Sequence, residues 1–98
     1  MIVLVATLRI KPGSLDAVLE AARPCIDATR RETDCISYDL HQNLTDPDCL
    51  VFVERWESRE ALAAHFEAPH LIAWREAGGP HFVDRKIEII HPDSVEVL

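Results

Sequence analysis

Residues 46–70 read DPDCLVFVERWESREALAAHFEAPH, and this stretch decides the fold. Cys49 to Glu57 is β-type, and its period of two puts Leu50, Phe52, Glu54 and Trp56 on one strand face. Val51 and Val53 fall on the other face. Ser58 then supplies an N-cap and Glu60 an acidic first turn, so a short helix is expected through Phe66. Leu62, His65 and Phe66 share its inward stripe. Pro69 interrupts, and a further helix is expected from His70 to Ala77, before Gly78-Gly79-Pro80. A strand whose inward face carries a carboxylate and an indole, followed by a helix whose inward face carries an imidazole, places ionisable groups where a core is expected. Buried charges are costly unless paired, so this is a candidate functional site.

The flanking segments complete the pattern. Cys35 to Leu44 alternates as a strand, with Ile36, Tyr38, Leu40 and Gln42 on one face. Thr45-Asp46-Pro47-Asp48 is a turn, so the two strands form a hairpin. Ile2 to Ile10 is rich in β-branched and aliphatic residues and stops at Lys11-Pro12-Gly13. Ser14 is a plausible N-cap for a helix with Leu15, Val18, Leu19, Ala22 and Ile26 at helical spacing. Pro24 lies inside that pattern and predicts a kink or a break. Phe82 to His91 is a last strand, followed by a tail from Ser94 to Leu98. The order βαββαβ predicts a ferredoxin-like α+β fold, a four-stranded antiparallel sheet with helices on one face, in a single domain spanning residues 1–98. Val3, Val5, Val51 and Val53 point away from that helical layer. An apolar sheet face left in water is an interface, so a homodimer packed sheet against sheet is expected.

Composition narrows the function. The chain has 98 residues, 48% hydrophobic and 28% charged, with a net charge of −7. That balance is globular, and it argues against nucleic acid, which calls for a basic face. No segment approaches the ~18–20 apolar residues of a membrane span. Met1 leads straight into a β-type run without a basic n-region, so no secretory signal is read. Cys25, Cys35 and Cys49 are odd in number and lack metal-ligand spacing, as reduced, partly buried thiols do. A cytoplasmic protein is expected.

The period-two and helical patterns bring Tyr38, Glu54, Trp56 and His65 together between sheet and helices. Each has a structural alternative. His65 could be a core histidine bonded to backbone or to Glu54, and Glu54 could pair with Arg55, Arg75 or Arg85. Trp56 and Phe52 could be plain core, and His70, next to Pro69, reads as a capping residue. His65 and His70 are five apart, not the i, i+4 pair of a helical zinc site. His41, His81 and His91 lie on separate segments. Gly13, Gly78 and Gly79 form no phosphate loop. No metal, flavin or nucleotide is expected.

Cys35-x-x-Tyr38, Asp46-Pro47, Phe52-x-Glu54-x-Trp56, Ser58-x-Glu60-Ala61-Leu62, His65 and Pro69-His70 together resemble the antibiotic biosynthesis monooxygenase family, over Ile2 to about Ile90. That family includes quinol monooxygenases, polyketide-tailoring oxygenases and an autoinducer-processing isomerase. The resemblance implies a dimeric α+β barrel. Asp34 stands where members commonly have glycine, and Trp74-Arg75-Glu76 with Gly78-Gly79 replaces a more apolar helix end. Ala6, His65 and Arg75 stand where the haem-degrading branch carries Asn, Trp and His, which argues against that branch. Phe52 replaces the strand asparagine of the tailoring oxygenases, while Trp56 matches their tryptophan.

The expected activity is a cofactor-independent monooxygenase that oxidises a phenol or hydroquinone with O2. An electron-rich phenolate can reduce triplet oxygen directly, so the protein need only deprotonate, confine and exclude water. His65 is the expected base, Glu54 its orienter and Tyr38 the partner of the substrate oxygen. Trp56, Phe52, Phe66 and Trp74 are expected to bind the ring. A non-oxidative isomerase on a small metabolite, and a non-catalytic dimeric ligand-binding module, are the alternatives.

Overall fold

A computed structural model describes residues 1–98. The elements are β1 (Ile2–Ile10), α1 (Leu15–Thr29), β2 (Cys35–Asn43), β3 (Asp46–Trp56), α2 (Arg59–Phe66), α3 (Pro69–Gly78), a 3-10 turn (Gly79–His81) and β4 (Phe82–Ile90). The four strands form one antiparallel sheet in the order β2-β3-β1-β4, with three helices. This is the ferredoxin-like α+β arrangement that the alternation of periods predicts.

Register fixes the two faces. Leu4 pairs with Glu54, Ala6 with Phe52 and Leu8 with Leu50 across β1 and β3, and Tyr38 pairs with Glu54 across β2 and β3. All of these are buried, together with Trp56 on β3, Val18, Ala22 and Cys25 of α1, Leu62 of α2 and Leu71 and Trp74 of α3. Each large apolar side chain taken out of water contributes on the order of 1.5–3 kcal/mol, so this layer accounts for most of the favourable energy. On the open face Val3, Val5, Val51 and Val53 are half-buried. No helix is long and apolar enough to cross a membrane.

Several local expectations change. Ile36 is 47% exposed, because the pairing shifts between Cys35 and Ser37 and puts Cys35 opposite Trp56. A bulge adds a residue and turns the strand face locally, so the core-side place goes to Cys35. The hairpin is tighter than the Thr45–Asp48 turn suggests. Asn43 pairs with Asp46, and the Asn43 side chain accepts from the Thr45 amide at 2.9 Å. The α1 helix runs unbroken through Pro24 from Leu15 to Thr29. Ser14 sits at the N-cap position, but its hydroxyl donates back to the Lys11 carbonyl and caps no helical amide. Ser58 does cap α2, accepting from the Ala61 amide at 3.1 Å. Gly13 turns the chain at φ 82, a conformation open to a residue without Cβ.

Candidate active site

Three elements deliver three polar side chains to one point. Glu32 lies in the loop after α1, His65 on the last turn of α2 and His70 on the first turn of α3. His65 Nδ1 lies 2.7 Å from Glu32 Oε2, and His70 Nε2 lies 2.8 Å from the same oxygen. A carboxylate oxygen accepts, so both imidazoles donate to it. That fixes the His65 tautomer: Nδ1 carries the proton and Nε2 a lone pair. His65 is 1% exposed, and Nε2 has no hydrogen-bond partner. An unsatisfied buried polar atom costs about 1–3 kcal/mol, a cost that a hydrogen-bonding ligand or water would relieve.

The imidazole is held by aromatic rings. Trp56 lies beside it with centroids 4.6 Å apart at 36°, and Tyr38 meets it edge-on at 5.4 Å and 67°. Burial pushes the His65 pKa below its ordinary value, with Glu32 opposing the shift. The ring is therefore neutral at neutral pH, the form a general base needs.

Glu54 does not orient His65, as the sequence reading expects; Glu32 does. Glu54 accepts from Trp56 Nε1 at 3.0 Å and forms no ion pair with Arg55, Arg75 or Arg85. Burial raises the Glu54 pKa to about 7, against the lowering effect of the indole bond. Tyr38 also differs from expectation. Its hydroxyl lies 3.7 Å from Cys25 Sγ, beneath α1, and burial pushes its pKa well up. Tyr38 is also one of the residues that line the cavity. His70 takes no capping role, because Pro69 occupies the first turn ahead of it and its imidazole is spent on Glu32.

A cavity joins these groups. Its walls include Tyr38, Phe52, Glu54, His65, Phe66 and Trp74, and it reaches Arg75, Arg85 and Ile87 at the β4 side. Its volume is only about 50 Å³, enough for a few waters and well below the ~300–1,000 Å³ of usual ligand sites. An aromatic ring enters only if rim side chains move. Phe52 and Trp74 meet edge to face at 5.7 Å, and Trp74 and Phe82 at 5.5 Å. Trp56 is buried behind His65 and is absent from the walls, so it supports the imidazole instead of contacting a ring. The donor atoms of Glu32, His65 and His70 lie within 4.8 Å of one another, and this set could hold a divalent transition metal. Separations of 2.7 and 2.8 Å are those of hydrogen bonds.

A family model described as antibiotic biosynthesis monooxygenase matches residues 1–77. The chain belongs to that family. It is 29% identical over 102 aligned positions to the probable quinol monooxygenase YgiN of Escherichia coli K12, covering 94% of this chain and 98% of that one. It is 30% identical over 69 residues to the uncharacterized protein sll1783 of Synechocystis, but spans about half of that protein's length, 47%. A solved antibiotic biosynthesis monooxygenase structure superposes with a TM-score of 0.89 at 32% identity, covering 98% of this chain and 100% of its own. Rv0793 of Mycobacterium tuberculosis gives 0.89 at 27% identity, with 98% of each chain covered. Membership places the chain in a family whose named relatives are called monooxygenases.

Sequence reasoning missed Glu32. It stands in Arg31-Glu32-Thr33-Asp34, a charged run that reads as a solvated loop. Only the tertiary meeting of that loop with α2 and α3 gives it a role.

Proposed function

We propose that this family member is a cofactor-independent monooxygenase of a phenol or hydroquinone. The observation that carries the reading is the free, buried Nε2 of His65, held by Glu32 and lining a mostly apolar cavity. His65 takes the phenolic proton on Nε2, and the imidazolium so formed is stabilised by the Glu32 carboxylate. The phenolate gives an electron to O2, and the radical pair joins at a ring carbon. The hydroperoxide loses water. For hydroquinone the sum is hydroquinone plus O2 giving hydroxyquinone plus water, so the substrate itself supplies every electron. The aromatic walls confine the ring and exclude solvent. The relatives named as quinol monooxygenases support this substrate class.

Oxygen uptake by metal-free protein with a panel of hydroquinones tests it. Uptake above the autoxidation blank that His65→Ala abolishes is the expected result; none across the panel overturns the reading. A Glu54 carboxyl with its pKa raised to about 7 also suits proton transfer across a carbonyl, and product formation without oxygen consumption would favour that isomerase chemistry. We further propose that Val3, Val5, Val51 and Val53 meet a second copy, sheet to sheet. Light scattering at micromolar concentration should give twice the monomer mass, and a monomer there overturns this.

A further inference from the structure

Two cations at the cavity mouth have no part in the mechanism above. Arg75 on α3 and Arg85 on β4 both belong to the cavity that His65 lines. Arg85 pairs across the sheet with Leu8, which is buried under the helices, so Arg85 projects from the helical side of β4 and not from the open face. β4 is the edge strand, and the helices leave it half open: Ile87, on the same side, is 44% exposed. The Arg75 guanidinium lies 5.7 Å from the Phe66 ring centroid, another wall residue. Neither arginine enters an ion pair, although the chain has 17 acidic residues against 10 basic ones. In so acidic a protein, two guanidinium groups on a mostly apolar cavity with no ion-pair partner form a local positive site that the protein itself leaves unmatched.

We propose that Arg75 and Arg85 bind an anionic substituent of the substrate, so that the natural substrate is a hydroxyaromatic acid and not a neutral quinol. This rests on the reading of the cavity as the aromatic site. The phenolic oxygen must go to His65, which is buried, while both arginines are exposed. The anion they meet is therefore a second group on the same molecule. A carboxylate matches the planar fork of a guanidinium, which can bind it through two parallel N–H donors. The net charge of −7 repels an anion at long range, which a cationic mouth would offset.

The test is binding, read by quenching of tryptophan fluorescence, with and without oxygen. The probes are gentisate (hydroquinone bearing one ring carboxylate), its methyl ester and hydroquinone itself. Wild type should bind gentisate roughly tenfold more tightly than the other two, and salt should shrink that margin. In Arg75→Gln and Arg85→Gln the margin should fall several-fold, and in the double variant to about one. Arg85→Lys should recover part of it. His65→Ala should keep the margin while losing oxygen uptake, so failure of the oxygenase reading and failure of this proposal remain distinct. Equal affinity of wild type for acid and ester, a margin that survives in the double variant, or no saturable quenching by any probe overturns the proposal.

Discussion

Glu32 and His65 are 33 positions apart in the chain, and their Oε2 and Nδ1 atoms meet at 2.7 Å. This contact sets the chemistry of the other ring nitrogen. An acceptor at Nδ1 forces the proton there and leaves the lone pair on the buried Nε2. Glu32→Gln keeps an acceptor oxygen but removes the charge that stabilises the imidazolium. We expect it to lower kcat/KM by about 10²-fold, and His65→Ala by about 10²–10⁴-fold, the range of a general base. Circular dichroism should show both folded. Rates within a factor of two of wild type would exclude the dyad.

His70 shares the same oxygen at 2.8 Å and is partly exposed. Without it, Glu32 is held by one bond and gains rotational freedom. His70→Ala should lower kcat roughly tenfold while changing KM little, since nothing places His70 on the ring. A fall in affinity at unchanged kcat would put it among the binding groups instead.

Activity should follow the neutral form of His65. Its pKa lies below the ordinary histidine value because burial disfavours the charged ring. The rate should therefore be flat through neutral pH and fall only on the acid side, below that ordinary value. Stability runs the same way. The unfolded chain takes up the proton first as pH falls from 6.5, so the native state loses ground there. A pH–rate profile with its acid limb above 6.5 would contradict a depressed base.

How much of this was legible in the sequence follows from range. The strands and helices follow from local periodicity, and Glu54, Trp56 and His65 share period-two and helical stripes within 12 positions of one another. Pairing partners were less accessible. Glu54 and His65 both face inward, but Trp56, two residues along the same strand as Glu54, donates to its oxygen. Tyr38 faces inward as expected, but its hydroxyl lies against Cys25 on α1. Glu32 gave no periodic signal, because a loop carboxylate is defined only by what folds over it. The bulge at Cys35–Ser37 was hidden for the same reason: it is a property of pairing and not of one strand.

Gly78 ends α3 against the Trp74 indole. A Cβ built there would lie 2.8 Å from a ring carbon, so the ring must shift. Gly78→Ala gains about 1 kcal/mol in helix propensity but overpacks at a cost of about 1–3 kcal/mol. We expect a net loss of about 1 kcal/mol by urea denaturation. Because Trp74 lines the cavity, KM for aromatic substrates should change as well. A stabilised variant with unaltered KM would show that the ring relaxes freely.

Glu54 makes its own stability prediction. Its native pKa of about 7 stands above the ordinary carboxyl value of 4.5, so the folded state holds this proton more tightly than the unfolded chain. The stability this contributes is complete below pH 4.5 and is lost as pH rises to about 7. The side chain is 4% exposed, so solvent screening is slight, and the loss is on the order of 3 kcal/mol. Glu54→Gln imitates the neutral carboxyl and keeps an oxygen for the Trp56 indole. Its Tm should match wild type below pH 4.5, exceed it increasingly up to about pH 7 and keep that margin above, on the order of 10–20 °C for a chain of this size. The same variant removes a titratable group from the cavity wall, so its effect on oxygen uptake separates the two chemistries. Little change leaves His65 as the sole base, whereas a loss comparable to His65→Ala makes Glu54 a second proton carrier. A Tm difference independent of pH would mean that the carboxyl is already ionised in the folded protein.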